Sequence, residues 1–206
     1  MKKILTNFLA LGVCLTPLTV MLIAQPTWGQ TQNSRSQEAK RLLKQGIKLT
    51  QQQEHQQAIQ IFQQGLTIAR ELKDQKLEAL ALLGLGRNYD DLGQKQKALD
   101  FYNQALPLYR AVGDRTGEAR TLDNIGGVYN ALGEKQKALD FYNQALPLFR
   151  AVGDRTGEAR TLNNIGGVYN ALGEKQKALD FYNQALPLFR AVGDRTGEAR
   201  TLNNIG

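Results

Sequence analysis

The chain has 206 residues, enough for one ordinary domain with a sizeable core. Its 42% hydrophobic and 22% charged residues are those of a soluble protein, and its net charge of +7 mixes 26 basic with 19 acidic side chains. A single cysteine, Cys14, and a single histidine, His55, exclude a disulfide framework and zinc sites built from several Cys or His ligands.

The first predicted element is a targeting segment. Lys2 and Lys3 precede the apolar run Ile4–Ala24, and Thr27 and Gly29 stand at −3 and −1 before Gln30. A basic start, an apolar middle and a small-residue site describe a secretory signal peptide, with cleavage expected after Gly29. Cleavage near Ala24 would place Leu22 at −3. The 21-residue run also approaches the roughly 20 residues that span a bilayer, so an uncleaved anchor is the alternative. Cys14 follows Leu-Gly-Val but belongs to the apolar run rather than to an acylation site. The mature chain would be exported, periplasmic or secreted, free of cysteine and of membrane attachment, with a net charge of +5. Residues 30–36, QTQNSRS, are expected to form a flexible polar linker.

From residue 37 onward the chain repeats itself. Residues 111–150 and 151–190 differ only at Asp123 against Asn163, and 191–206 copy 151–166. The 40-residue period extends backwards in weaker form through Gly46, Gly86, Gly126, Gly166 and Gly206. Within a block, Leu122, Ile125, Tyr129 and Leu132 recur at three and four residues, as do Ala138, Phe141 or Tyr142, Ala145 and Leu148 or Phe149. Each block is therefore a helix hairpin, with third-block helices expected near 115–132 and 135–152. Gly133 separates the two, Gly153 is the expected C′ glycine, and Asp154 the N-cap of the next helix. Pro107, Pro147 and Pro187 fall inside the second helices, where a bend rather than a break is expected.

The set Leu122, Ile125-Gly126, Tyr129, Ala138, Tyr142 and Ala145 closely resembles the tetratricopeptide repeat (TPR). The six extra residues and the GDRTGEAR connector resemble the long-helix repeats of spindle-orientation adaptors and kinesin light chains. Arg150 stands where the family has proline, and the first block departs most, with Gln45, Leu49 and Gly65 at signature positions. The resemblance implies an all-α, right-handed superhelix over 37–206, about four repeats and a partial fifth. No hairpin can bury its apolar face alone, so neighbours must stack.

In the family, first helices line a concave groove. The positions facing away from the core stripe are Arg120, Asp123, Asn124, Gly127 and Asn130; Arg160, Asn163, Asn164, Gly167 and Asn170; and Arg200, Asn203 and Asn204. Asparagine amides can both donate to and accept from a peptide backbone, and arginine gives charge-assisted bonds to carboxylates. Gly126 has a packing explanation; Gly127 has none and costs about 1 kcal/mol relative to alanine in a helix.

No catalytic residue, cofactor or metal is expected. His55 lies in QQQEHQQ and reads as a solvated turn residue. Asp154 and Glu158 read as charges favourable to a helix N-terminus, and the phosphate-loop motif is absent. Block four sets Arg155, Arg160, Lys175, Lys177 and Arg190 against Asp154, Glu158, Glu174 and Asp180, and such mixed signs disfavour nucleic acid. The expected function is an exported scaffold that binds an extended or acidic peptide. The alternative is a recognition arm preceding an effector such as a caspase-like (CHAT-type) peptidase domain. The final TLNNIG repeats 161–166 and opens a further block, so truncation within the repeats is expected. Such an end, without a polar cap, would also permit self-association.

Overall fold

The computed structural model describes residues 17–206. Every regular element among them is an α-helix: α1 Pro17–Gln51, α2 His55–Glu71, α3 Gln75–Asp91, α4 Lys95–Ala111, α5 Arg115–Ala131, α6 Lys135–Val152, α7 Arg155–Ala171, α8 Lys175–Val192 and α9 Arg195–Ile205. By contacts the chain divides into two units, Met1–Arg35 and Ser36–Gly206. The described part of the first unit belongs to α1. The signal-peptide reading falls on residues 1–29, the first 16 of which lie outside the described residues. Among the described residues no helix is long and apolar enough to cross a membrane. The linker expected at 30–36 is instead helical. Glutamine, serine and arginine carry only small helix penalties, and Gly29 is followed by no glycine or proline until Gly46.

The second unit is an α-solenoid of helix hairpins. Local signals set the helix ends. Positive φ recurs at Gln53, Lys73, Gly93, Gly113, Gly133, Gly153, Gly173 and Gly193, one left-handed residue at every turn. The N–H of the following residue then closes a bond to a carbonyl in the last helical turn, as Asp154 does to Phe149 O at 3.0 Å. Asp114, Asp154 and Asp194 cap α5, α7 and α9 by accepting from the N–H groups of Gly117, Gly157 and Gly197, each at 2.9 Å. Asp74 does the same for α3. Helix α6 runs unbroken through Pro147, which is exposed, so the carbonyl freed four residues earlier can bond to water.

Two kinds of glycine seat hold the stack together. Inside a hairpin, Tyr142 lies on Gly126, where a Cβ would come within 2.8 Å of the ring; Tyr102 on Gly86 and Tyr182 on Gly166 repeat it. Between hairpins, Phe149 of α6 lies on Gly157 of α7, with a virtual Cβ 2.4 Å from the ring. Tyr142 and Phe149 are almost fully buried, and Phe149 contributes about 3 kcal/mol by burial alone. An ion pair closes each joint outside: Arg70–Glu78, Arg110–Glu118, Arg150–Glu158 and Arg190–Glu198, at 2.7–2.8 Å. The arginines are about half exposed, so each pair contributes at most about 1 kcal/mol.

The packing order identifies the inner wall. From α2 onward each helix packs on the next, and α3 also touches α5, α5 touches α7 and α7 touches α9. The corresponding second helices α4, α6 and α8 make no such contacts with one another. First helices therefore crowd together on the inside of the curve, and second helices spread along the outside.

Candidate functional site

The inner wall encloses a cavity of about 670 Å³, lined chiefly by residues of α1, α3, α5 and α7. Its floor holds Phe62 and Tyr102, contributed from the second helices behind. Burial first, and then the charges of Asp90 and Asp91, push the Tyr102 phenol up, so it remains a neutral hydroxyl.

Of the sequence-predicted groove residues, Arg120, Asn124 and Arg160 line this cavity together. Arg120 is exposed and approaches Asp154 at 3.5 Å. Arg160 is exposed, and among the described residues no carboxylate forms an ion pair with it, although its charge acts on Asp123. Gly127 and Gly167 are half-buried, and a Cβ would meet only the Tyr142 and Tyr182 hydroxyl oxygens at 3.7 and 3.9 Å. Asn130 is occupied within its own hairpin: its Oδ1 and carbonyl accept from Lys135 Nζ at 2.6 and 2.9 Å. Asn170, Arg200 and Asn203 are exposed but lie outside this cavity.

Two predicted groove positions are buried instead. Asp123 and Asn163 are 6% and 8% exposed. Thr161 Oγ1 donates to Asp123 Oδ1 at 2.8 Å, and Asn164 adds a side-chain bond. Thr201 Oγ1 and Asn204 Nδ2 donate to Asn163 Oδ1 at 3.1 and 3.3 Å. A ladder of side-chain bonds thus joins successive first helices and uses part of the capacity of Asn164 and Asn204; each amide retains further donor and acceptor sites. The cause is the next hairpin, whose first helix covers a position that faces away from the core of its own hairpin. Asp123 still touches the cavity. Burial pushes its carboxyl up, against the opposing effects of the Thr161 bond, the Arg160 charge and the Asn164 bond.

The sequence reading missed the other end of the cavity, formed by Ile47, Thr50, Leu80, Leu83, Gly84 and Arg87. These residues belong to the first two blocks, which match the repeat least well, and leucines at 80 and 83 look like core by pattern alone. His55 is also not a freely solvated turn residue. It opens α2, half-buried, with Nδ1 3.0 Å from Asn88 Oδ1 and 3.7 Å from Asp91. Thr50 and Asn88 complete this cluster through a bond of 2.8 Å. Among the described residues no group of three or more His, Cys, Asp or Glu side chains is placed to hold a metal ion.

Comparison with solved structures gives the fold. The chain superposes on aspartyl phosphate phosphatase F from Bacillus subtilis with a TM-score of 0.76 at 18% identity, covering 81% of this chain and 44% of that one. It superposes on the Rap conjugation gene regulator of plasmid pLS20, solved in complex with the Phr* peptide, with a TM-score of 0.72 at 18% identity (79% of this chain, 45% of that). Nearly identical TPR-like repeats assigned to a kinesin light chain of Podosopora anserina give a TM-score of 0.61 at 15% identity (81% and 92%). The chain thus spans less than half the length of the first two. No curated protein is similar enough in sequence to count as a relative. The tetratricopeptide-repeat family model matches at residues 42–111, 108–151, 117–191 and 157–206. With stacked hairpins, glycine-seated aromatics and a first-helix groove over the same span, the chain belongs to the tetratricopeptide-repeat family.

Proposed function

We propose that this chain is a protein-interaction scaffold whose inner groove receives an extended peptide segment and does no chemistry on it. The observation that carries this reading is the pair Arg120 and Arg160, two exposed guanidinium groups on one wall of a cavity of about 670 Å³ beside the half-buried amide of Asn124. Guanidinium forks favour carboxylates, and a neighbouring amide can pair with a peptide backbone. The pLS20 regulator, a neighbour in fold, is solved in complex with a peptide, which supports a peptide as the ligand here.

The test is a peptide-display selection on the chain, followed by calorimetry of the selected peptides. Arg120→Ala with Arg160→Ala is expected to weaken an acidic peptide at least tenfold, about 1.4 kcal/mol, while the helical circular dichroism stays unchanged. Undiminished affinity in the double variant overturns the reading.

Export belongs to the same proposal. Protein recovered from the cell envelope or medium is expected to begin at Gln30; sequencing that finds Met1 intact there rules out signal cleavage.

A further inference from the structure

Groove positions 40 residues apart share one helical register yet change chemistry along the array. Leu80 becomes Arg120 and then Arg160; Leu83 becomes Asp123 and then Asn163; Ile47 becomes Arg87 and then Gly127. The cavity therefore has two unlike ends. At one, Ile47 is 40% exposed and Leu80 and Leu83 are only partly covered by the core beneath. At the other stand Arg120 and Arg160.

The carboxylates in the same walls are already engaged. Asp90 is held by Lys95, Asp91 by Arg87 and His55, Asp154 by Arg120 and its helix N-terminus, and Asp123 by Thr161 and Asn164. At the far end Arg160 acts on the buried Asp123 from a distance, but no carboxylate among the described residues is ion-paired with it.

We infer that the groove, on the peptide reading above, takes a ligand with one apolar and one acidic anchor at fixed places along its wall. An aliphatic or aromatic side chain rests against Ile47, Leu80 and Leu83, and an acidic side chain meets Arg120 and Arg160. Apolar surface left in water is the reason for the first contact. Charge complementarity is the reason for the second, since a basic residue there would meet like charge. Packed neighbouring helices lie about 8–10 Å apart, and an extended chain advances about 3.3 Å per residue. The apolar and acidic residues of the ligand should therefore stand roughly three to six positions apart.

The experiment uses the 206-residue chain and fluorescein-labelled 12-residue peptides of Ser, Thr and Gly, each carrying one Phe and one Glu four positions apart. Both sequence orders are measured by anisotropy, with Phe→Ser and Glu→Lys versions of each. Either order can set Phe against Ile47, Leu80 and Leu83 and Glu against Arg120 and Arg160 by reversing the chain, and both replacements are expected to weaken the tighter order at least tenfold. Leu80→Arg with Leu83→Asn gives the second block the groove chemistry of the fourth, and Thr121 and Asn124 stand ready to bond the new amide as Thr201 and Asn204 bond Asn163. That variant should lose the preference for Phe and keep the preference for Glu; Arg160→Ala should do the reverse. Ile47→Ser, at an exposed position, repeats the first test with little demand on folding. No dependence on Phe overturns the inference and leaves the peptide groove standing. Failure of every displayed or synthetic peptide to bind overturns both.

Discussion

Two adjacent glycines and one carboxylate show how narrowly this fold distinguishes neighbours. A methyl group at position 126 would press into the Tyr142 ring at 2.8 Å, whereas at 127 it would meet only the Tyr142 hydroxyl oxygen at 3.7 Å. Gly126→Ala is expected to destabilise by about 1–3 kcal/mol through overpacking. Gly127→Ala should stabilise by up to about 1 kcal/mol through helix propensity, and in the groove reading should also weaken peptide binding. Urea titration of the two variants, with binding measured alongside, separates packing from function. The carboxylate is Asp123. Its folded-state pKa is raised by burial, so the native state holds its proton more tightly than the unfolded chain does. Stability contributed by that proton is present at low pH and is lost as pH rises through the folded-state pKa. Asp123→Asn leaves an acceptor for Thr161 and removes the buried charge. It should raise Tm at pH 7, with the gain fading as pH falls and gone below the unfolded-state value of about 3.9; a lower Tm at pH 7 would show that Asp123 is stabilised by its neighbours more than burial costs it.

At the scale of the element, the helix turns are more uniform than the sequence. Every described turn of the array places a residue in the left-handed region, but only from Gly93 onward is that residue glycine. Gln53 and Lys73 adopt φ of 62° and 55° with a Cβ present, a conformation that costs roughly 1–2 kcal/mol outside glycine. Lys73→Gly is expected to stabilise the chain by about 1 kcal/mol, the relief being partly offset by the greater unfolded-state freedom of glycine. Thermal melts of Lys73→Gly and Gln53→Gly should both move upward. An unchanged melting temperature in both would show that the rest of each turn already accommodates the side chain. The same pair explains why the first block is hard to read: the strongest punctuation of the later turns is missing from the sequence, although the backbone makes the same turn.

Over the whole array, periodicity carried most of what was legible. The third-block helices expected near 115–132 and 135–152 are Arg115–Ala131 and Lys135–Val152, because core stripe, Asp cap and turn glycine agree within each block. A helical wheel drawn for one hairpin cannot show what the next hairpin covers, which is why Asp123 and Asn163 look like open groove in the sequence and are buried in the fold, Asp123 still touching the cavity. Nor could periodicity assign Gly117 and Gly157 to the aromatic rings seated on them, since those rings come from the preceding hairpin. The groove was legible where blocks are copies and illegible where they diverge, at Ile47, Leu80, Leu83 and Arg87. Because each hairpin is stabilised by its neighbours, damage should spread by proximity. Phe149→Ala, at the joint of α6 and α7, is expected to cost about 3–5 kcal/mol. Amide hydrogen exchange should accelerate first in α6 to α9 and last in α2 and α3; uniform acceleration throughout the array would indicate a single cooperative unit.

The joints carry one further consequence, for how such a chain can change over generations. Everything one hairpin presents to the next is written inside a single 40-residue block: the Asp cap, the aromatic and its glycine, the Arg–Glu clasp and the threonine rung. A second copy of residues 151–190 spliced in after Arg190 would meet, at both ends, surfaces already present between α6 and α7. Groove length is then a quantity that unequal recombination can alter in whole steps without inventing an interface. The two unlike ends of the cavity would stay as they are while the wall of arginine and asparagine beyond them grows.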